Sequence, residues 1–300
     1  MLDIVRSSEL DYERDLQFRL NRLNSLRLNP SLPSPHWENQ LSEMARLVIV
    51  EGKYLEGARQ AVAARAAAAP IDAKDFIGWF EALKDEGPGQ NDPLFPWLAE
   101  QCTMEQMKWF LTQEVAGEAG FEDLTALTQL KLPTRPKLEL ARNYWDEMGR
   151  GNPKAMHGPL LAALAEHLKL NPLPETTVTE SLALANTMAG LAANRRYAYH
   201  SVGALGVIEM TAPGRSAATS AGLKRLGVKA GNRHYFALHA ILDIKHSSAW
   251  NSEAIEPLVS ENPEVATAIA EGALMRLQCG ARCFERYRSE FGLNRPPCAF

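Results

Sequence analysis

Apolar residues recur every three to four positions along nearly the whole chain. Leu16, Leu20 and Leu23 show this spacing in the first segment, which we expect to be helical from Leu2 to about Leu28. The alternation of apolar and polar residues that is typical of a strand is almost absent. Further helical patterns cover residues 40–69, 71–87, 94–130, 138–149, 180–210, 231–249 and 263–291. The pattern therefore predicts an all-α protein.

Two breaks organise the chain. The proline-rich stretch from Asn29 to Trp37 interrupts the helical pattern. Asn152 and Pro153 favour the N-cap and the first turn of a new helix, which we expect to begin near Pro153 and to carry His157. We expect a single helical domain over residues 41–300, with residues 1–40 as an N-terminal extension packed on it.

Composition excludes several functional classes. The formal net charge is -4 over 300 residues, and no long run of one sign suggests a nucleic-acid surface or a basic membrane patch. Apolar stretches are broken by charge well short of the roughly 20 residues that span a bilayer. The first residues lack the apolar core of a signal peptide, so we expect a cytoplasmic protein.

The sharpest chemical signal is the segment HAILDIKH. His239, Asp243 and His246 fall at positions i, i+4 and i+7, so a helix presents them on one face. The composition gives only about 0.02 chance occurrences of a histidine, an acid four residues on and a histidine three residues after that. Two imidazoles and a carboxylate on one stripe suit a transition metal such as iron.

Two other segments offer further ligands. Glu147, or alternatively Asp146, ends one predicted helix, and His157 lies early in the next. The break at Gly149 to Gly151 lets both point at one centre. Glu209 follows an apolar run, where a carboxylate is costly unless it is paired or bound to a metal; the alternative is a solvated glutamate at a helix end.

Together these segments resemble the heme-oxygenase-like diiron oxidases over roughly residues 95–290. In that family one helix supplies a glutamate and a following histidine, matched here by Glu147 and His157. A second helix supplies a glutamate, matched by Glu209. A third supplies the histidines and aspartate matched by His239, Asp243 and His246. The resemblance implies a heme-oxygenase-like helical bundle that binds two irons per chain and uses dioxygen as co-substrate.

Some family members use one more glutamate from an earlier helix. Glu114, Glu118 and Glu122 lie four residues apart, on one face if the segment is a single helix, and Glu118 is the candidate that we favour. A solvated acidic face is the alternative. A ferritin-like bundle is disfavoured, because that design needs two Glu-x-x-His pairs and the chain has none.

The resemblance also implies a function. We expect a non-heme diiron oxidoreductase acting on a small, carboxylate-bearing metabolite, with Arg195, Arg196 or Lys245 as candidates for binding its carboxylate. The expected partners are this substrate, an external electron donor and a second copy of the chain in a homodimer, with no nucleic acid or membrane. The alternatives are a non-catalytic scaffold and a heme-binding protein of the same fold, for which His36 is the early histidine.

The remaining candidate residues have simpler interpretations. We expect His167, His200 and His234 to be structural or surface histidines. Cys102, Cys279, Cys283 and Cys298 form no CxxC pair, and buried small apolar side chains are the favoured interpretation. Nucleotide-binding, nucleophile-elbow and HExxH motifs are absent from the sequence.

Overall fold

The computed structural model describes residues 2–118 and 120–293, with side chains from residue 11 onward. The described residues form helices joined by turns, with no strand among them, so the all-α prediction is confirmed. The helices are α1 (Leu2–Leu28), α2 (Trp37–Ala66), α3 (Ala73–Glu86), α4 (Leu94–Glu100), α5 (Met104–Gly117), α6 (Phe121–Thr128), α7 (Thr134–Glu147), α8 (His157–Leu168), α9 (Thr179–Ala193), α10 (Ala198–Arg225), α11 (His234–Trp250), α12 (Glu256–Glu261) and α13 (Val265–Glu290).

Helix α10 is the centre of the bundle and packs against α11, α13 and α4. Two glycines allow α10 and α13 to cross closely. A Cβ atom on Gly203 would lie 1.9 Å from the carbonyl oxygen of Ile269, and one on Gly272 would lie 1.9 Å from that of His200. Any larger residue at either position would therefore push the two helices apart.

The prediction of one long helix over residues 180–210 is wrong in two respects. Asn194 adopts an extended conformation, and its side chain accepts a hydrogen bond from the backbone of Arg196, so α9 ends and a new helical segment begins. Helix α10 then continues through Pro213 to Arg225. Pro213 has no N–H to donate to the carbonyl oxygen of Glu209, four residues earlier. Tertiary packing overrides this local signal.

The helix expected to begin near Pro153 begins four residues later, at His157. The side chain of Asn152 accepts a hydrogen bond from the backbone of Lys154 at 3.1 Å, and its carbonyl accepts one from Ala155 at 2.9 Å. These bonds close a single turn that does not continue. His157 is therefore the first residue of α8 rather than a residue within it.

The N-terminal helix α1 packs on α9 and α2, burying Leu20 and Leu23. The boundary near residue 40 stays a prediction. Cys102 and Cys283 are buried and Cys279 is partly buried, whereas Cys298 lies outside the described residues. None of the described helices has the length and apolar character needed to cross a membrane.

Candidate metal centre

The turn between α7 and α8 brings its two predicted ligands together. Glu147 is the last residue of α7 and His157 the first of α8. The chain reverses through Gly149, whose φ is +61° and where a Cβ would lie 2.5 Å from the backbone of Ala155. His157 Nδ1 consequently lies 2.5 Å from a carboxylate oxygen of Glu147. Both side chains are buried.

Helix α11 presents His239 to the same point. Its Nδ1 donates a hydrogen bond to the carbonyl oxygen of Tyr235 at 2.8 Å, since a carbonyl can only accept. This bond fixes the tautomer, so Nε2 carries the lone pair. The Nε2 atom lies 3.1 Å from His157 Nδ1. One imidazole nitrogen from each of two helices therefore converges beside Glu147.

His246 and Glu209 form the other half of the cluster. His246 Nε2 donates to Asp146 at 3.1 Å, which leaves Nδ1 pointing inward, 3.5 Å from an oxygen of Glu209 and without a hydrogen-bond partner. Glu209 accepts a hydrogen bond from Asn143 at 2.5 Å. Glu209 is 2% exposed in the middle of α10, so it is not a solvated glutamate at a helix end.

These side chains form two overlapping groups of donor atoms, each within 4.8 Å of one another. Glu147, His157 and His239 make one group, and Glu147, Glu209 and His246 make the other. Glu147 belongs to both, as a carboxylate that bridges two metal ions must. The alternative ligand Asp146 instead bonds Arg150 and His246, which is the position of a residue that orients a ligand.

Asp243 lies between these groups on α11 and is 2% exposed. Its Oδ1 atom is buried without a hydrogen-bond partner. Burial, followed by the charges of Glu209 and Glu147, raises the pKa of Asp243 to about 10. A buried carboxylate without a hydrogen-bond donor or counter-charge is unfavourable, and a cation bound here would remove that cost.

Electrostatics favour the neutral forms of Glu147, His157 and His239, whereas His246 favours its charged form in the absence of a metal. Burial raises the pKa of Glu147 well above its usual range, and the charge of Glu209 raises it further. Burial lowers the pKa of His157 and His239 to about 4, which keeps both imidazoles neutral as metal ligands must be. Burial opposes charge on His246, but Glu209 and Asp146 outweigh it and raise its pKa to about 9.

Glu118 lies at the edge of this cluster, immediately after α5. It lines the same cavity as Glu147, His239 and Asp243 and shares a hydrogen bond with Tyr235. Burial, with the charge of Glu147, raises its pKa to about 8. Its position is compatible with an additional ligand, and that role stays a prediction.

The prediction that Glu114, Glu118 and Glu122 share one helix face is wrong. Helix α5 ends at Gly117 and α6 begins at Phe121, after Gly120 at a φ of +70°. Glu114 therefore lies on α5 and accepts a hydrogen bond from Tyr287 at 3.1 Å, whereas Glu122 lies on α6 beside Gly158. The left-handed conformation of Gly120, which glycine adopts readily, is incompatible with one continuous helix through this segment.

A cavity extends from the cluster between α5, α10, α11 and α13. Arg215 and Arg276 line it, and the sequence pattern singled out neither residue. The candidates that were expected to bind a carboxylate lie elsewhere. Arg195 bonds backbone carbonyls near the end of α6, Arg196 pairs with Glu56, and Lys245 lines a separate surface groove.

The histidine considered for heme lies at the protein surface. His36 is exposed, immediately before α2. His200, by contrast, is buried and pairs with Glu271 at 2.8 Å. The seven predicted ligand residues, including Glu118, are the ones that the fold brings to one place.

Comparison with known proteins agrees with this geometry. A family model described as iron-containing redox enzyme matches residues 108–281, which include every predicted ligand. No curated protein matches the chain. The heme-oxygenase-like all-α fold expected from the sequence is thereby confirmed.

Proposed function

The chain belongs to the iron-containing redox enzyme family, and from this premise we propose that it is a non-heme diiron enzyme that activates dioxygen to oxidise a small metabolite. The observation that carries the proposal is the position of Glu147 in both donor groups. A carboxylate that reaches both groups could serve two metal ions at the separation of about 3.5–4 Å that is usual for two-metal sites. Oxygen and imidazole ligands suit iron.

The residues divide naturally between two ions. His157 and His239 would hold one, Glu209 and His246 the other, and Glu147 would bridge them. Asp243 and Glu118 supply further carboxylate oxygens within the same cavity wall. If Glu118 is included, the four carboxylates would offset the four positive charges of two ferrous ions.

The chemistry that two bound ferrous ions supply is the two-electron reduction of dioxygen. The chain's own residues prepare the site for it. Asp146 and the Tyr235 carbonyl fix the orientation of His246 and His239. Burial raises the pKa of Tyr235 well above its usual range, so its hydroxyl keeps its proton and donates it in the hydrogen bond to Glu118.

Apolar side chains share the cavity with the proposed ligands, most of which are buried. Phe236, Leu184 and Ile208 line it beside the acids. This surrounding strengthens electrostatic interactions and protects a reactive oxidant from side reactions. An external electron donor, needed to return the irons to the ferrous state, completes the proposed cycle.

Anaerobic loading with Fe(II), removal of excess metal and elemental analysis test the proposal. We expect more than one iron per chain, and rapid consumption of dioxygen when the loaded protein is mixed with it. Iron binding without any oxygen consumption would favour the non-catalytic scaffold. A heme absorption band in place of mononuclear or dinuclear iron would favour the heme-binding protein.

A further inference from the structure

The outer faces of α7 and α11 carry large apolar side chains that the fold leaves uncovered. Leu138 and Trp145 on α7, and Ile241 and Ile244 on α11, are each more than half exposed. The two helices are in contact, and Leu138 and Ile244 line one groove between them. Trp145 lies two turns from Leu138, and Ile241 lies one turn from Ile244, on the same faces. We call these four residues the α7–α11 patch.

Exposed cations border one end of this patch. The side chains of Arg142 and Arg150 are more than half exposed, whereas their acidic partners Glu139 and Asp146 are only 5% and 14% exposed. Lys245, on α11, is exposed as well. Solvent therefore meets three positive groups, and the two acids lie beneath them. The patch is locally cationic although the whole chain has a net charge of -4.

The same two helices hold proposed iron ligands on their inner faces. Glu147 ends α7, and His246 lies on α11. Asp146 connects the inner side with the outer. One of its oxygens accepts a hydrogen bond from His246 at 3.1 Å, and the other accepts one from Arg150 at 2.6 Å. Two hydrogen bonds thus link an exposed guanidinium beside the patch to a proposed ligand.

The charges favour an acidic partner over a second copy of the chain. In a two-fold dimer this face would pack against its own copy. Arg142, Arg150 and Lys245 would then meet the same three cations. The exposed acid at the other end of the groove, Glu253, already pairs with Arg135 at 2.7 Å. An acidic protein meets no such repulsion, and opposite charges also speed its association.

The size of the patch favours a transient partner. Apolar centres with charged rims are typical of protein interfaces, and electron-transfer encounters bury less than about 1,200 Å² in total. Four apolar side chains with three cations suit an interface of that size. Nucleotide-binding motifs are absent from the sequence, which favours delivery of electrons by another protein.

We propose that the α7–α11 patch is the docking surface for a small acidic protein that carries single electrons, of the iron–sulfur ferredoxin class. This inference rests on the proposed function. Each docking transfers one electron, so two reduced partner molecules become oxidised as two ferric ions return to the ferrous state. No proton or chemical group passes between the proteins. Trp145 and Arg142 are residue types that often dominate the binding energy of interfaces.

Isothermal titration calorimetry on the metal-free protein tests the docking surface without any dependence on iron. The probe is a plant-type [2Fe–2S] ferredoxin, which is acidic, and cytochrome c, a basic one-electron carrier, is the control partner. We expect ferredoxin to bind about tenfold or more tightly than cytochrome c. Its affinity should fall as salt is added, because salt screens exposed charges.

Variants then locate the surface. Lys245→Glu and Ile244→Ser should each weaken ferredoxin binding about fivefold or more, because one reverses a rim charge and the other removes an apolar contact. Lys53→Glu and Ile49→Ser are the matched controls on α2, where Lys53 is exposed and Ile49 is 63% exposed against 59% for Ile244. Both controls should bind as the parent does. All four variants should show parent-like helicity by circular dichroism and parent-like iron content.

Equal binding of ferredoxin and cytochrome c, or binding of neither, would overturn the inference. So would patch variants that bind ferredoxin like the parent, or control variants that lose as much affinity as the patch variants. A parent dimer that separates in Ile244→Ser by analytical ultracentrifugation would assign the patch to a second copy instead. Failure of the proposed function is separate, since it would appear as a parent that binds ferredoxin but no iron.

Discussion

Helix α10 contributes to two buried clusters of histidine and carboxylate that balance their charges differently. Near its start, His200 pairs with Glu271 at 2.8 Å, and Glu271 also meets Arg59 at 3.2 Å. Glu56 belongs to the same network. It pairs with Arg59 at 2.7 Å and with Arg196 at 3.1 Å. Two arginines thus accompany two carboxylates.

The cluster around Glu209, at the middle of α10, contains no arginine or lysine ion-paired to the proposed iron ligands among the described residues. Burial raises the pKa of Asp243 to about 10, whereas hydrogen bonds from Arg59 and Tyr197 lower the pKa of Glu56 to about 2. The first cluster satisfies its acids with protein cations and is structural. In the second cluster Glu209 faces the imidazole of His246, and Asp243 has no cationic side chain paired with it among the described residues, which suits the metal site that we propose.

Removal of histidines tests the distinction between the two clusters most directly. His239 and His246 belong to different donor groups, so each alanine variant should lose at least the iron of its own group. The double variant His239→Ala/His246→Ala should hold none, because water cannot replace a lost ligand at equal affinity. Elemental analysis after anaerobic loading measures this. His200→Ala is the control, and iron loss there equal to that in the double variant would contradict the distinction.

Asp146→Asn should produce the next largest effect on iron. The amide no longer provides the charge that orients His246, and loss of such a supporting partner weakens metal binding by roughly 10- to 100-fold. Competition with a chelator of known affinity measures the change. An Asp75→Asn variant, altered in the first turn of α3, is the control. Unchanged affinity in Asp146→Asn would show that the hydrogen bond to His246 is unimportant.

Glu271→Gln should affect folding rather than iron. The substitution removes the charge that meets both His200 and Arg59, and we expect a loss of about 2 kcal/mol in the free energy of unfolding. Urea denaturation measures the loss, and iron content should equal that of the parent. A variant of normal stability that had lost iron would mean that the two clusters had been assigned the wrong roles.

The smallest effect expected is a pH dependence of the metal-free protein. An acid whose folded-state pKa is raised favours folding while protonated, so its contribution falls as pH rises toward that pKa. Glu118 at about 8 and Asp243 at about 10 should therefore lower stability between about pH 7.5 and 9, where unfolded histidines stay neutral. His246, whose pKa is about 9, acts in the same direction.

Urea titrations across this range, on the parent and on Asp243→Asn, measure the slope. The variant should show the shallower decline, because it lacks one titrating carboxyl. Glu56 affects stability at acidic pH instead. Its lowered pKa stabilises the fold above about pH 4.5, and this contribution is lost as pH falls toward about 2. Equal slopes for parent and variant would contradict the raised pKa of Asp243.

Candidate ligands could be predicted from the sequence where their spacing along the chain already places them together. His239, Asp243 and His246 are one helix face, and any helix brings them together. Glu147 and His157 required only a tight reversal, which the glycines between them indicate. The identity of the side chains and the local geometry determine these positions, so no knowledge of the tertiary fold was needed.

The two arginines that line the cavity could not be found in this way. Pro213 and Gly214 are local signals for a turn, so the sequence pattern predicts a helix that ends at Met210, before Arg215. Packing of α10 against its neighbours carries the helix past both residues. Arg276 reaches the cavity because Gly280 leaves space beside it, which is a property of the assembled fold.

Asn152 and Glu118 show the same limit at helix ends. Asparagine followed by proline is a frequent helix start, but here the bonds of Asn152 close an isolated turn. The four-residue spacing of Glu114, Glu118 and Glu122 predicts one helix face, but α5 ends at Gly117 and Gly120 adopts a left-handed conformation. In both places the residue types alone do not give the helix boundary.

The central claim is that Glu147 is shared by two iron ions, and iron stoichiometry in two glutamine variants tests it most directly. Glu209→Gln keeps the shape and the hydrogen bond from Asn143 but removes one group's carboxylate, whereas Glu147→Gln removes a carboxylate from both groups. Both variants should fold like the parent by circular dichroism.

After anaerobic titration with Fe(II), the parent should bind two irons per chain, Glu209→Gln one, and Glu147→Gln none at the same free metal concentration. A parent that binds at most one iron, or a Glu147→Gln variant that retains two, would contradict the shared-carboxylate centre.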